Sequence, residues 1–252
     1  PVFFVFSNLI EWRIMDFLSP VISIWMALAI ATFVVLLFRT APYGRHADQV
    51  RLPTLPHRVG WIIMETVSPL ALCAGLILTG NSARWPMLLV VLWVGHYVYR
   101  AWIYPFRARW ANKRMPIVIM LSAIGFNVVN GGLNGMALAD ESYSFIWNRP
   151  TVWVGAALFA AGLLVNLQSD RILMSLRAPG ETDYRIPRGG FFRWVSCPNY
   201  LGELVEWIGF ALMAATPAAW AFALWTAANL IPRALSHHRW YQSHFAENPR
   251  QR

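Results

Sequence analysis

The chain has 252 residues, of which 57% are hydrophobic and only 13% are charged. Soluble domains usually carry about 25% charged residues, so a soluble globular domain is excluded. A net charge of +9 is compatible with binding to nucleic acid. The basic residues, however, are distributed as in a membrane protein, so we expect no nucleic-acid partner. Two cysteines, Cys73 and Cys197, are too few for a disulfide framework. Residues 1–17 lack the basic region of a cleavable signal peptide, so none is expected.

Seven apolar stretches are candidates for membrane-spanning helices. In chain order these stretches are approximately residues 20–38, 59–80, 86–104, 116–138, 150–168, 198–214 and 217–235. The composition and these stretches predict an all-α fold, a polytopic integral membrane protein built as a seven-helix bundle. Since no linker or low-complexity tract interrupts the chain, residues 1–252 are predicted to form a single membrane domain.

The basic residues are divided unequally between the two ends of this predicted bundle. With seven crossings, sixteen lysines and arginines lie in the connections on the same side as the C-terminal tail, and three lie on the opposite side. Cytoplasmic loops of membrane proteins carry an excess of Lys and Arg, which predicts an outside N-terminus and a cytoplasmic C-terminus. Basic loops of this kind also predict contact with anionic membrane lipids.

Several polar side chains fall inside the predicted spans, where such groups are rare and usually face a bundle interior or a cavity. In chain order they are Glu65, His96, Tyr97, Arg100, Asn127, Asn130, Asn134, Asn166, Glu203, Glu206 and Arg233. Glu203 and Glu206 share one helix face because they are three residues apart. Arg233, His237 and Tyr241 recur at intervals of four and also share a face.

Two interpretations of these groups compete. In the first, acids and bases pair and hold helices together. In the second, they line a polar cavity, which we favour because buried ion pairs stabilise less well than apolar packing and six helices contribute polar faces. Arg-rich walls at the cytoplasmic ends suit a phosphate-bearing ligand. The glycines of "NGGLNG" (130–135) favour close helix packing, and the absence of metal-ligand spacing predicts no metal.

Four segments resemble one known family in combination. "NLQSDRILMSLRAPGETDYRIPRGGFFRWVSCPNYLGELVEWIGFAL" (166–212) and "PRALSHHRWYQSHF" (232–245) resemble the C-terminal part of the steroid 5-alpha-reductase (3-oxo-5-alpha-steroid 4-dehydrogenase) family. "METVSP" (64–69) and "GHYVYRAWIYP" (95–105) resemble its upstream motifs. The resemblance covers most of the chain from about residue 60, and the style of the chain indicates a bacterial homologue.

The resemblance implies an oxidoreductase of the membrane that uses NADPH to reduce the C4=C5 double bond of 3-oxo-Δ4 steroids, giving 5-alpha-dihydro steroids. Hydride would pass to C5, so negative charge develops on the C3 oxygen and needs hydrogen-bond donors. By the same resemblance, Tyr97 and Glu65 are the catalytic residues that polarise this carbonyl, with Glu65 donating if burial keeps it protonated. Residues of about 1–115 would form mainly the substrate half and about 116–252 mainly the cofactor half.

The resemblance also assigns residues around the cofactor. It places NADPH against Asn112, Arg114, Asn166, Asp170, Arg177, Tyr184, Arg185, Asn199, Glu203, Arg233, His237 and Tyr241. Arg100 and Glu206 are expected to support these residues without touching the ligand.

The sequence is also compatible with other functions. Enoyl-thioester reductases and sterol C14 reductases share the cofactor half, an isoprenylcysteine-type methyltransferase would bind S-adenosylmethionine, and a transporter would bind neither cofactor. The favoured reading predicts a steroid or steroid-like lipid substrate and a monomer. It also predicts a bacterial inner-membrane location, with the cofactor site facing the cytoplasm.

Overall fold

A computed structural model describes residues 2–39, 52–79, 86–108, 110, 113–140, 145–176 and 184–245, with the side chains of residues 2–17 left aside. The helices are α1 (Val2–Phe38), α2 (His57–Thr79), α3 (Met87–Val98), α4 (Tyr104–Arg107), α5 (Ile117–Ala139), α6 (Pro150–Ser175), α7 (Pro198–Ala214) and α8 (Pro217–His244). A π-helical turn, Tyr99–Ile103, joins α3 to α4, and a 3-10 turn, Gly190–Arg193, precedes α7. The predicted all-α architecture is confirmed.

Five helical segments are long and apolar enough to cross a membrane among the described residues. They are Leu18–Phe38, His57–Thr79, Met87–Arg107, Ile117–Ala139 and Pro150–Ser175. Large apolar side chains on these segments face outward, such as Leu70, Leu78 and Leu164, as expected where lipid replaces water. The chain is an integral membrane protein, and the count of seven crossings and the orientation stay predictions, since α7 has only 17 residues.

A pair of short strands was not predicted. β1 (Thr54–Pro56) pairs antiparallel with β2 (Arg114–Pro116), in a register that places Leu55 opposite Met115. Each strand leads directly into a long helix, β1 into α2 and β2 into α5. The sheet therefore ties the starts of two helices that are far apart in sequence.

Glycine residues let two pairs of helices approach closely. On α2 and α5, a Cβ added at Gly75 would lie 2.5 Å from the carbonyl oxygen of Gly132. On α6 and α7, a Cβ added at Gly162 would overlap the backbone nitrogen of Glu206 and lie 2.5 Å from the carbonyl oxygen of Gly202. Small residues at such crossings are how membrane helices gain packing contact. The prediction that "NGGLNG" permits close packing is confirmed.

The asparagines of α5 form hydrogen bonds between helices. Asn127 donates through Nδ2 to the carbonyl oxygen of Met64 on α2 at 2.7 Å, and Asn134 donates to that of Ala218 on α8 at 3.3 Å. Asn130 Oδ1 accepts from Trp25 Nε1 on α1 at 3.0 Å. These three side chains are buried and do not line the cavity described below, and each donates its amide to a backbone carbonyl oxygen, although Asn134 Oδ1 has no hydrogen-bond partner among the described residues.

The close approach of α6 and α7 predicts that Gly162→Ala will destabilise the fold. We expect the free energy of unfolding to fall by about 1–3 kcal/mol, as in other overpacked cores, because the added methyl group meets backbone atoms on α7. Denaturation in detergent micelles measures the change. Gly132→Ala is the matched control, since a Cβ there has nothing within 4 Å; equal stability losses in the two variants would contradict the prediction.

Candidate active site

Arg100 connects three helical segments at the centre of the bundle. The π-helical turn places its guanidinium 5.2 Å from the ring of Trp61 and 4.7 Å from that of Tyr104. Its Nη1 lies 3.5 Å from Asp170 Oδ2 on α6, and its Nη2 lies 3.9 Å from Glu203 Oε2 on α7. The guanidinium of Arg100 is therefore in contact with two aromatic rings and two carboxylates. It connects the π-helical turn to α6 and α7.

A second polar pair lies deeper between α3 and α7. His96 Nδ1 lies 2.7 Å from Glu206 Oε1, and both side chains are buried. The other carboxylate oxygen of Glu206 has no hydrogen-bond partner among the described residues. The acid–base pairing that we considered less favoured thus does occur, at Arg100 and at His96.

Glu65 and Tyr97 lie on facing helices, α2 and α3. Tyr97 is buried, and its ring centre lies 5.7 Å from that of Trp93. Trp93 in turn donates through Nε1 to Ser68 Oγ on α2 at 3.2 Å. Glu65 is partly buried on α2, three residues before Ser68. A further contact between these elements is the hydrogen bond from Trp61 Nε1 on α2 to the carbonyl oxygen of Arg100 at 2.9 Å, three residues after Tyr97. The joint action of Glu65 and Tyr97 on a carbonyl stays a prediction.

A polar cavity of ≈ 250 Å³ lies beside this cluster. Seven of the residues predicted to bind the cofactor line it, namely Asp170, Tyr184, Arg185, Asn199, Arg233, His237 and Tyr241. The shared face of α8 predicted from the spacing of its last three members is thus turned toward the cavity. Its wall carries basic, aromatic and amide side chains, a mixture typical of a site for a phosphorylated nucleotide.

Three other predicted cofactor residues do not line this cavity. Asn166 is buried and donates through Nδ2 to the carbonyl oxygen of Asn199 at 3.0 Å, so it supports a lining residue. Arg114 is exposed on β2, where its Nε donates to Thr54 Oγ1 and its Nη2 to the Thr54 carbonyl oxygen, both at 2.7 Å. Glu203 faces Arg100 instead. Asn112 and Arg177 lie outside the described residues.

Several lining residues were missed from the sequence. Lys113, next to Arg114, lines the cavity and places its Nζ 5.5 Å from the centre of the Tyr184 ring. Tyr200 also lines it, and its hydroxyl accepts from Arg233 Nε at 3.1 Å. Tyr104, four residues after Arg100, could have been found from that helical spacing. Lys113 gave no such signal, because it lies in an irregular connection.

The sequence was compared with those of known proteins. A sequence model of the family described as 3-oxo-5-alpha-steroid 4-dehydrogenase matches residues 113–252. The 3-oxo-5-alpha-steroid 4-dehydrogenase 1 of Bos taurus is 39% identical over 234 residues, which cover 89% of this chain and 90% of the relative. The chain belongs to the 3-oxo-5-alpha-steroid 4-dehydrogenase family.

Other members of this family are similar over nearly the same length. The 3-oxo-5-alpha-steroid 4-dehydrogenase 1 of Homo sapiens is 38% identical over 213 residues, which cover 82% of each chain. The steroid 5-alpha-reductase DET2 of Solanum lycopersicum is 35% identical over 232 residues, which cover 88% of this chain and 89% of the relative. The family resemblance is confirmed, and the chain is an oxidoreductase of this family.

The position of Arg100 predicts a large effect on stability. In Arg100→Leu, Asp170 and Glu203 lose the cation that they share, and removing one partner of a buried ion pair destabilises proteins by about 3–5 kcal/mol. We expect a loss of roughly 3 kcal/mol, read from denaturation in micelles. Arg171→Leu, at an exposed position on α6, is the control, and a melting temperature of Arg100→Leu no lower than this control would refute the prediction.

Proposed function

We propose that this protein reduces the C4=C5 double bond of 3-oxo-Δ4 steroids with NADPH. The observation that carries the proposal is the contact of Arg100, three residues after Tyr97, with Asp170 and Tyr104, which both line the basic and aromatic cavity. Membership of the family supports the reaction class, and the names of the relatives specify a 3-oxo-5-alpha-steroid or a steroid 5-alpha reaction.

The chemistry of the cavity wall fits NADPH. Lys113, Arg185 and Arg233 supply cations for its phosphates, since guanidinium groups bind phosphate through paired hydrogen bonds. Asp170 and Asn199 supply groups for ribose hydroxyls or for the carboxamide. Aromatic rings on the same wall suit a flat heterocycle. When bound there, NADPH supplies a hydride.

The Glu65–Tyr97 pair would act on the carbonyl end of the steroid. As hydride adds to C5, the electrons of the conjugated double bond move toward the C3 oxygen, which becomes negatively charged, and a proton from solvent or an acid then adds to C4 to give the saturated ketone. A hydroxyl donor from Tyr97 and a protonated carboxyl from Glu65 stabilise this charge more strongly than the neutral carbonyl, which lowers the barrier. Burial among apolar side chains keeps water from competing for the same oxygen.

We also propose that the cavity opens toward the cytoplasm of a bacterial inner membrane. The segments that contribute lining residues also carry exposed basic side chains, namely Arg188, Arg193 and Arg239. Positive charge is typical of the cytoplasmic side of membrane proteins. Soluble NADPH would reach the site from that side, and an apolar steroid would reach it from the bilayer.

The carbonyl assignment predicts a loss of turnover without a loss of cofactor binding. In purified protein with NADPH and a 3-oxo-Δ4 steroid, Tyr97→Phe should lower kcat by roughly 100-fold, as for other deleted oxyanion donors, and Glu65→Gln should lower it less. The affinity for NADPH, measured by fluorescence, should stay within about twofold, because neither residue lines the cofactor cavity.

Tyr99→Phe is the matched control, since Tyr99 lies two residues away on the π-helical turn. Wild-type rates in Tyr97→Phe and Glu65→Gln together would refute the assignment. Parallel assays with an enoyl-CoA and a Δ14 sterol test the other reductases of the superfamily; turnover of one of these in place of the steroid would refute the proposed substrate.

The cofactor assignment predicts a selective effect of one arginine of α8. Arg233→Leu should weaken NADPH binding by roughly tenfold or more, because a charged hydrogen bond contributes about 1.5–3 kcal/mol. Arg239→Leu, six residues further on the same helix and exposed, should bind normally. Thermal shifts with NADPH, NADH and S-adenosylmethionine measure this, and stabilisation of the wild type by S-adenosylmethionine alone would indicate a methyltransferase.

A further inference from the structure

His96 and Glu206 have no part in the proposed chemistry, although they form the shortest acid–base contact between helices among the described residues. Their side chains are 2.7 Å apart, and their exposed fractions are 4% and 0%. Neither lines the cavity. His96, however, directly precedes Tyr97, and Glu206 directly precedes Trp207, whose ring packs near that of Tyr97.

Aromatic rings pack around this contact between α3 and α7 and restrict its movement. The centres of the His96 and Trp207 rings are 4.8 Å apart, and those of His96 and Tyr97 are 5.1 Å apart. Tyr97 also contacts Trp207, at 6.0 Å. On the far side, the backbone of Glu206 is seated against Gly162 of α6. Contacts thus run without a break from α6, through Glu206 and His96, to Tyr97.

We propose that His96 and Glu206 are positioning residues that set the hydroxyl of Tyr97 relative to the cofactor cavity. Glu206 belongs to the same helix as Asn199, which lines the cavity, and His96 to the same helix as Tyr97. The hydrogen bond between them fixes how far α3 can slide along α7, and so fixes the distance between the two halves of the reaction. This inference rests on the proposed function, because it concerns the geometry of that reaction.

Helix stabilisation alone accounts poorly for this pair. Apolar residues of similar volume usually stabilise a buried site as well as an ion pair does. Glu206 Oε2 has no hydrogen-bond partner among the described residues, so the pair is not fully satisfied. A directional hydrogen bond gives a register that apolar packing does not give, which matters where an error of about 1 Å lowers a rate by roughly 100-fold.

Two variants of Glu206 and one control separate positioning from stability. Glu206→Gln keeps an oxygen that accepts from His96 Nδ1–H, so kcat should stay within about threefold of wild type. Glu206→Leu removes the acceptor, and kcat should fall roughly 10- to 100-fold while steroid KM and NADPH affinity stay within about twofold. Asn134→Leu, which removes the hydrogen bond from α5 to Ala218 on α8, should lower stability and leave kcat unchanged.

A spectroscopic readout tests the same inference without turnover. 3-Fluorotyrosine placed at position 97 should show a shifted ¹⁹F resonance in Glu206→Leu and an unshifted one in Glu206→Gln. An unmoved resonance in both variants, or an equal fall of kcat in Glu206→Leu and Asn134→Leu, would overturn the positioning role. If the wild type reduces no steroid, the proposed function fails, and the ¹⁹F shift alone then decides whether the pair positions Tyr97.

Discussion

The guanidinium of Arg100 is the group on which the polar interior of this protein depends. The bilayer interior offers no water to solvate charge, so a carboxylate there needs a partner inside the protein. Asp170 of α6 and Glu203 of α7 both find it in Arg100, and the ring faces of Trp61 and Tyr104 cover the cation. Because the π-helical turn after α3 supplies the cation and α6 and α7 supply the anions, the predicted substrate and cofactor halves meet at this residue.

The helices around Arg100 pack as two close pairs. Glycines allow the backbones of α2 and α5, and those of α6 and α7, to come into direct contact, which makes each pair stiff. Close backbone contact of this kind leaves little freedom for the two members of a pair to shift. Polar side chains of α3 then join one pair to the other. Rigid pairs linked by a few directional contacts hold reacting groups in place better than uniformly apolar packing would.

Much of this architecture could be predicted from the sequence, because hydropathy and length identify helices without knowledge of their neighbours. The face of α8 that carries Arg233, His237 and Tyr241 was predicted by spacing alone and does line the cavity. Rotation of a helix about its axis was harder to predict when both faces are apolar. Asn127 and Asn134 therefore suggested a cavity, although packed backbone carbonyls take up their amides.

Irregular connections were predicted least well. The pairing of β1 with β2 joins residues that are 60 positions apart. Strands of three residues are too short to show a periodic hydrophobic pattern in the sequence. That pairing turns Arg114 toward Thr54 and leaves Lys113 on the cavity wall. The family resemblance assigned Arg114 to the cofactor, because a motif gives residue types and not the local path of the backbone. Only the tertiary contacts show that Lys113, and not Arg114, lines the cavity.

The two glutamates of α7 show how depth divides roles along one helix face. Glu203 and Glu206 are three residues apart and point the same way. Glu203 retains 19% exposure and faces the guanidinium beside the cavity, whereas Glu206 is fully enclosed and bonded to His96. Glu203 therefore balances the charge of Arg100 together with Asp170, whereas Glu206 holds a single partner on α3.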